Sequence, residues 1–169
     1  MGACGFDFLK LKKILSEWQT EMNKGGGWNA LFWCNHDQPR IVSRYGDDGN
    51  TAKVCEMLAT AIHMLQGTPY IYQGEELGMT NPKFDDISLY RDVESLNMYR
   101  ILKEAGKPEA EIIEILKAKS RDNSRTPVQW NGEEMPGLRR AHRGFRCLTT
   151  TKKSTQKKRS TILIRFLPL

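Results

Sequence analysis

Apolar positions recur at steps of three and four from Phe8 through Leu11, Ile14, Leu15, Trp18 and Met22, so residues 7–23 read as an amphipathic helix. Gly25-Gly26-Gly27 breaks the period. Over residues 28–34 the run WNALFWC is short and almost wholly apolar, the pattern of a strand buried on both faces. After a loop at Gly46-Asp47-Asp48-Gly49, the spacing of Val54, Met57, Leu58, Ile62 and Leu65 predicts a helix over about 52–66. Gly67-Thr68-Pro69 ends it, and Tyr70-Ile71-Tyr72 predicts a second short buried strand. The segment TNPKFDDISLYRD reads as a long loop, 93–104 and 108–118 as helices, and the aperiodic SRDNSRTPVQW as an extended loop.

Strands alternating with helices indicate an α/β protein with parallel strands. Chemistry in such folds gathers at the carboxyl ends of the strands. Both predicted strands end abruptly there, one in Asn35-His36-Asp37-Gln38-Pro39-Arg40 and the other in Gln73-Gly74-Glu75-Glu76. A carboxylate at such a strand end fits a catalytic or ligand-binding role. A plainer reading also fits, with Asp37 capping the next segment and His36 a satisfied half-buried side chain. Arg121 and Arg125 fit carbohydrate or phosphate contacts, or surface pairing with Asp122. Glu75 and Glu76 read equally well as solvated or salt-bridged loop residues.

Composition narrows the class. At 169 residues the chain suffices for one ordinary domain, and no apolar stretch approaches the ~20 residues that cross a membrane. The start MGACGFDFLKLKK lacks the apolar core of a secretory signal, and Phe6 stands where a myristoylation motif wants Ser or Thr. A cytoplasmic location is the expectation. Cys4, Cys34, Cys55 and Cys147 form no C-x-x-C pair, so no metal site is expected, and Cys34 reads as a small core residue. The net charge of +6 is uneven. Residues 138–169 hold ten of the 26 Lys and Arg and none of the 20 acids, which leaves 16 − 20 = −4 for residues 1–137.

The words WNALFWCNHDQPR, GTPYIYQGEELGM, YRDVESLNMY and SRDNSRTPVQW, in that order, resemble the α-glucosidases of the α-amylase superfamily, glycoside hydrolase family 13. Within it the wording is nearest the trehalose-6-phosphate hydrolase branch, with oligo-1,6-glucosidase next. The resemblance covers about residues 6 to 137. It implies the C-terminal part of a (β/α)8 TIM barrel, with FWCNHD ending the seventh strand and YIYQGEE the eighth. It further implies retaining hydrolysis of an α-glucosidic bond by a carboxylate nucleophile and a carboxylic acid. On this resemblance Asp37 is the third carboxylate, which stabilises the flattened sugar of the transition state. His36 would hydrogen-bond the same ring, Arg40 would hold it or orient a carboxylate, and Arg121 would bind substrate. No cofactor is implied. The strands that carry the nucleophile and the general acid are absent from this chain, and Glu75 and Glu76 match the eighth-strand word instead. The expectation is therefore a piece of a barrel, about a quarter, that neither folds stably nor hydrolyses glycosides alone. The expected partner is a sugar or sugar phosphate, with neither nucleic acid nor membrane.

The tail 138–169 matches no family word. A basic, acid-free segment ordinarily suggests nucleic-acid binding, and a small basic nucleic-acid-binding protein is the rival hypothesis. A one-base frameshift accounts for the tail differently. A permitted codon choice from Gly137, with one T restored, turns GLRRAHRGFRCL into GFTTGTPWIPVS, and further permitted codons continue as DNYKEINAEKALNDP. Both look like family sequence. MGACG and Asn50-Thr51-Ala52 also look foreign to the family. A non-catalytic carbohydrate-binding remnant is the third hypothesis.

Overall fold

The computed structural model describes residues 7–46 and 51–129. The basic tail, with the expectation of a frameshifted, unstructured segment, lies outside the described residues.

Helix α1 (Phe8–Lys24) starts where the Asp7 side chain accepts the Lys10 N–H at 3.0 Å. It stops at the glycine triplet, where Gly26 has φ +69°. Strands β1 (Ala30–Leu31) and β2 (Thr68–Pro69) run parallel, Ala30 opposite Thr68 and Leu31 opposite Pro69. A parallel pair needs a long crossover. Here it carries α2 (Ile41–Tyr45) and α3 (Thr51–His63). Beyond β2 come a 3-10 turn (Ile87–Leu89), α4 (Val93–Glu104), α5 (Glu109–Lys119) and a second 3-10 turn (Arg121–Asn123). Helix α4 is capped by Asp92, which accepts the Ser95 N–H at 3.1 Å.

Two expectations need correction, and two features add to the reading. Strand 28–34 is not buried on both faces, because the two-stranded sheet leaves one face open at Trp28, Phe32 and Tyr70. The apolar stripe of α1 exists but buries no residue fully. The second strand falls at Thr68–Pro69 rather than 70–72, and its ladder ends with the Tyr70 N–H bonded to the Leu31 carbonyl at 2.7 Å. Helix α2 was not foreseen, since five residues are too few to reveal a period.

Two apolar clusters form. One packs Cys34, Ile41, Val42 and Leu58 with Trp33, Tyr45, Val54 and Tyr72 around it. There Trp33 Nε1 donates to the Leu58 carbonyl at 2.9 Å. Cys34 is a core residue as expected, and burial pushes its thiol up to about 11. The other joins Phe84 and Tyr90 to Ile112, Ile113 and Leu116 of α5. The Phe84 and Tyr90 rings meet edge-on at 5.5 Å, and the Tyr90 hydroxyl donates to the Phe84 carbonyl.

Candidate active site

The turn on the carboxyl side of β1 is fixed from within and from below. Asn35 Oδ1 accepts the Asp37 N–H at 2.8 Å, an Asx-type turn that lifts the side chains of residues 36 and 37 outward. Beneath them Arg40 is only 1% exposed. Its N–H donates to Asn81 Oδ1 at 2.8 Å, Nη1 to the Gln73 carbonyl at 2.5 Å and Nη2 to the Ser124 carbonyl at 3.1 Å. Its guanidinium also lies 5.4 Å from the Tyr72 ring centre. One side chain thus joins three segments: the turn after β1, the turn after β2 and the loop after α5. The resemblance has Arg40 hold the sugar or orient a carboxylate. The structure encloses its side chain, and burial lowers its pKa. It can act on a ligand only through the turn it holds.

The second turn is shaped around that arginine. Gly74 has φ +84°, and a Cβ there would overlap Met79 Sδ and stand 3.1 Å from Arg40 Nη1. Glu75 Oε2 accepts the Tyr72 N–H at 3.2 Å, and burial pushes its carboxyl above the usual range. Glu75 is therefore engaged with its own turn.

The loop Ser120–Arg125 closes over the first turn. Ser124 Oγ donates to the Gln38 carbonyl, and the Tyr72 hydroxyl donates to the Ser124 carbonyl at 3.2 Å. Arg125 reaches across with all three nitrogens: Nε to the His36 carbonyl at 2.9 Å, Nη2 to Asp37 Oδ1 at 2.9 Å and Nη1 to Asp92 Oδ1 at 3.3 Å. Arg121 Nη1 stands 3.6 Å from the same Asp37 oxygen, while its Nη2 pairs with Glu94. His36 Nε2 is 3.2 Å from Asp37 Oδ2. Three of the four residues expected at the site, His36, Asp37 and Arg121, therefore converge at the surface. Asp122 Oδ2 accepts the backbone N–H groups of Arg91 and Asp92.

Asp37 remains 46% exposed at the side chain and His36 70%. The arrangement can accept hydrogen bonds from ligand hydroxyls at Asp37 while two guanidinium groups fix the carboxylate plane. Arg125, which the sequence offers beside Arg121 for carbohydrate, phosphate or surface pairing but which the resemblance does not place at the site, makes the shorter contact with Asp37. Only the fold reveals which arginine of SRDNSR reaches Asp37. A groove of about 500 Å³ lies elsewhere, between α1 and Leu65, with no carboxylate or imidazole among its lining residues. Among the described residues no group of three His, Cys, Asp or Glu could hold a metal, and no helix is long and apolar enough to cross a membrane.

Residues 2–161 match the α-amylase catalytic domain, a span that reaches into the basic tail. The chain belongs to the α-amylase family. It is 75% identical over 134 residues to a trehalose-6-phosphate hydrolase of Bacillus subtilis, covering 79% of this chain and 24% of that protein. It is 54% identical over 130 residues to an oligo-1,6-glucosidase of Parageobacillus thermoglucosidasius, covering 76% and 23%. It superposes on the crystal structure of trehalose-6-phosphate hydrolase from Bacillus licheniformis with a TM-score of 0.86 and 81% identity. That superposition covers 90% of this chain and 28% of that one. The chain thus spans about a quarter of the length of the curated relatives it matches, and its parallel β-α-β unit is a fragment of the family's TIM barrel.

Proposed function

We infer that the protein of which this chain is part hydrolyses trehalose 6-phosphate, with retention, to glucose and glucose 6-phosphate in the cytoplasm. In this reading β1 is the seventh barrel strand and β2 the eighth. The observation that carries it is the Asp37 carboxylate, exposed on the carboxyl side of a parallel strand and clamped by Arg125. Asp37 accepts hydrogen bonds from the sugar that strengthen as the ring flattens, so they act on the transition state. His36 donates to the same ring, and Arg121 and Arg125 hold the carboxylate and line the pocket. Arg40 pins the turn beneath them. The higher identity to a trehalose-6-phosphate hydrolase than to an oligo-1,6-glucosidase supports the phosphorylated substrate.

The nucleophile and general acid lie on strands this chain does not carry, so residues 1–137, the partial catalytic domain, neither fold stably nor turn over substrate alone. Residues 138–169 are a frameshifted extension whose charge reflects codon slippage rather than a nucleic-acid partner.

The experiment is to read the gene, restore the frame after Gly137 and assay the full product. Hydrolysis of trehalose 6-phosphate in preference to isomaltose supports the reading, and the reverse preference would assign it to the oligo-1,6-glucosidases. The 169-residue chain should release no nitrophenol from a nitrophenyl α-glucoside.

A further inference from the structure

Behind the exposed Asp37 lies a second carboxylate that solvent hardly reaches. Asp92 caps the N-terminus of α4, and its side chain is only 7% exposed. Its two oxygens face different ways. Oδ2 accepts the Ser95 N–H at 3.1 Å and the Ser95 hydroxyl at 3.2 Å, which starts the helix. Oδ1 accepts Arg125 Nη1 at 3.3 Å. The backbone under Asp92 is fixed in turn, because Asp122 Oδ2 accepts its N–H at 2.9 Å and that of Arg91 at 2.8 Å. Helix α4 is itself seated by Tyr99 and Leu102 against the cluster of Phe84, Tyr90, Ile112 and Leu116. Capping alone does not call for Asp here, since Asn or Ser would cap as well. What a carboxylate adds is a buried negative charge facing the guanidinium.

Charge and geometry say what that does. Arg125 Nη2 and Arg121 Nη1 approach the same Asp37 oxygen, at 2.9 and 3.6 Å. Two cations crowded on one anion repel each other, and the start of α4 supplies each with a further acid: Asp92 for Arg125 and Glu94 for Arg121. Arg125 sits on a loop, whereas Asp92 sits on a packed helix end, so the fork takes its direction from the helix. We propose that Asp92 is a positioning residue of the site. It does not meet substrate; through Arg125 it holds the Asp37 carboxylate in the plane that the sugar needs. The proposal rests on Asp37 as the sugar-facing carboxylate and is independent of which glucoside is cleaved.

The test uses the frame-restored enzyme carrying Asp92→Asn, with Asp92→Ser as a second cap too short to reach the guanidinium. Both should fold by circular dichroism. For trehalose 6-phosphate or a nitrophenyl α-glucoside, kcat should fall roughly tenfold or more while KM changes less than about twofold. In an Arg125→Lys background the same substitutions should cost almost nothing further, since the group they act through is gone. Ser95→Ala, which weakens the cap and leaves Oδ1 untouched, should lower the melting temperature and keep kcat. A crystal structure of the Asp92→Asn enzyme should show Arg125 displaced from Asp37. Unchanged kcat in the folded variants overturns the proposal, as does a full further loss in the Arg125→Lys background or an Asp92→Asn structure with the fork still on Asp37. Unfolding of both variants overturns it too, because the carboxylate is then structural. A restored enzyme that cleaves no α-glucoside counts against the functional reading, and the place of Arg125 in the Asp92→Asn crystal then decides the positioning role.

Discussion

Arg125 Nη2 meets Asp37 Oδ1 at 2.9 Å across 88 residues of chain. Its Nε bonds the His36 carbonyl and its Nη1 the Asp92 carboxylate, so one fork orients the backbone and the side chain of the same turn. Both partners are well exposed, and the pair contributes less than about 1 kcal/mol to stability. Its value lies in orientation. In the restored enzyme, Arg125→Lys should reduce kcat by roughly tenfold or more, since an ammonium cannot serve three acceptors in one plane. Urea titration should give nearly the same unfolding midpoint as for the parent. A large loss of stability with normal kcat would show that the fork is structural.

Arg40 behaves oppositely. Replacing it with Met removes donors from the Gln73 and Ser124 carbonyls in a closed environment. The expected cost is about 3 kcal/mol or more, read by urea unfolding of the restored enzyme. Activity per folded molecule should fall as well, because the turn after β1 loses its anchor.

Gly74→Ala tests the second turn. Its φ of +84° disfavours any side chain, and Met79 already fills the place of the new methyl. The substitution should destabilise by about 1–3 kcal/mol. It should also weaken activity through displacement of Arg40.

Burial raises the Cys34 thiol from 9.0 to about 11, desolvation being the largest cause, followed by the charge on Glu75. The folded state therefore holds the proton more tightly than the unfolded chain does. The stability this confers is complete below about pH 9 and is lost as pH rises through 11. At neutral pH Cys34 should resist alkylation until the protein unfolds. Mass spectrometry after iodoacetamide treatment in buffer and in urea checks this, and rapid labelling in buffer would contradict the packing.

The elements that were legible in the sequence are those with enough length to show a period: α1, α3, α4 and α5. The polar strand ends stood out because two apolar runs both stop in charged or amide clusters, and sites in parallel α/β folds draw on several strand ends. The role of Arg40 was not, because NHDQPR looks the same whether its arginine points to solvent or inward. Its inward course depends on Asn81, Gln73 and Ser124, which lie 33 to 84 residues away. The choice of Arg125 over Arg121 as the closer partner of Asp37 depends on the 3-10 turn at Arg121–Asn123, too short to predict. The exposure of Trp28 and Phe32 was misjudged for a different reason. An unbroken apolar strand implies two covered faces, and among the described residues the two-stranded sheet covers only one of them.

In the proposed reaction the Asp37 carboxylate contacts glucose as the glycosidic bond breaks. Its most direct measure is kcat/KM for trehalose 6-phosphate in the restored enzyme carrying Asp37→Asn, with circular dichroism as the check on folding. Loss of a charged acceptor in the transition state predicts a fall of roughly 100- to 1,000-fold in a folded protein. A folded Asp37→Asn enzyme with unchanged kcat/KM would contradict it.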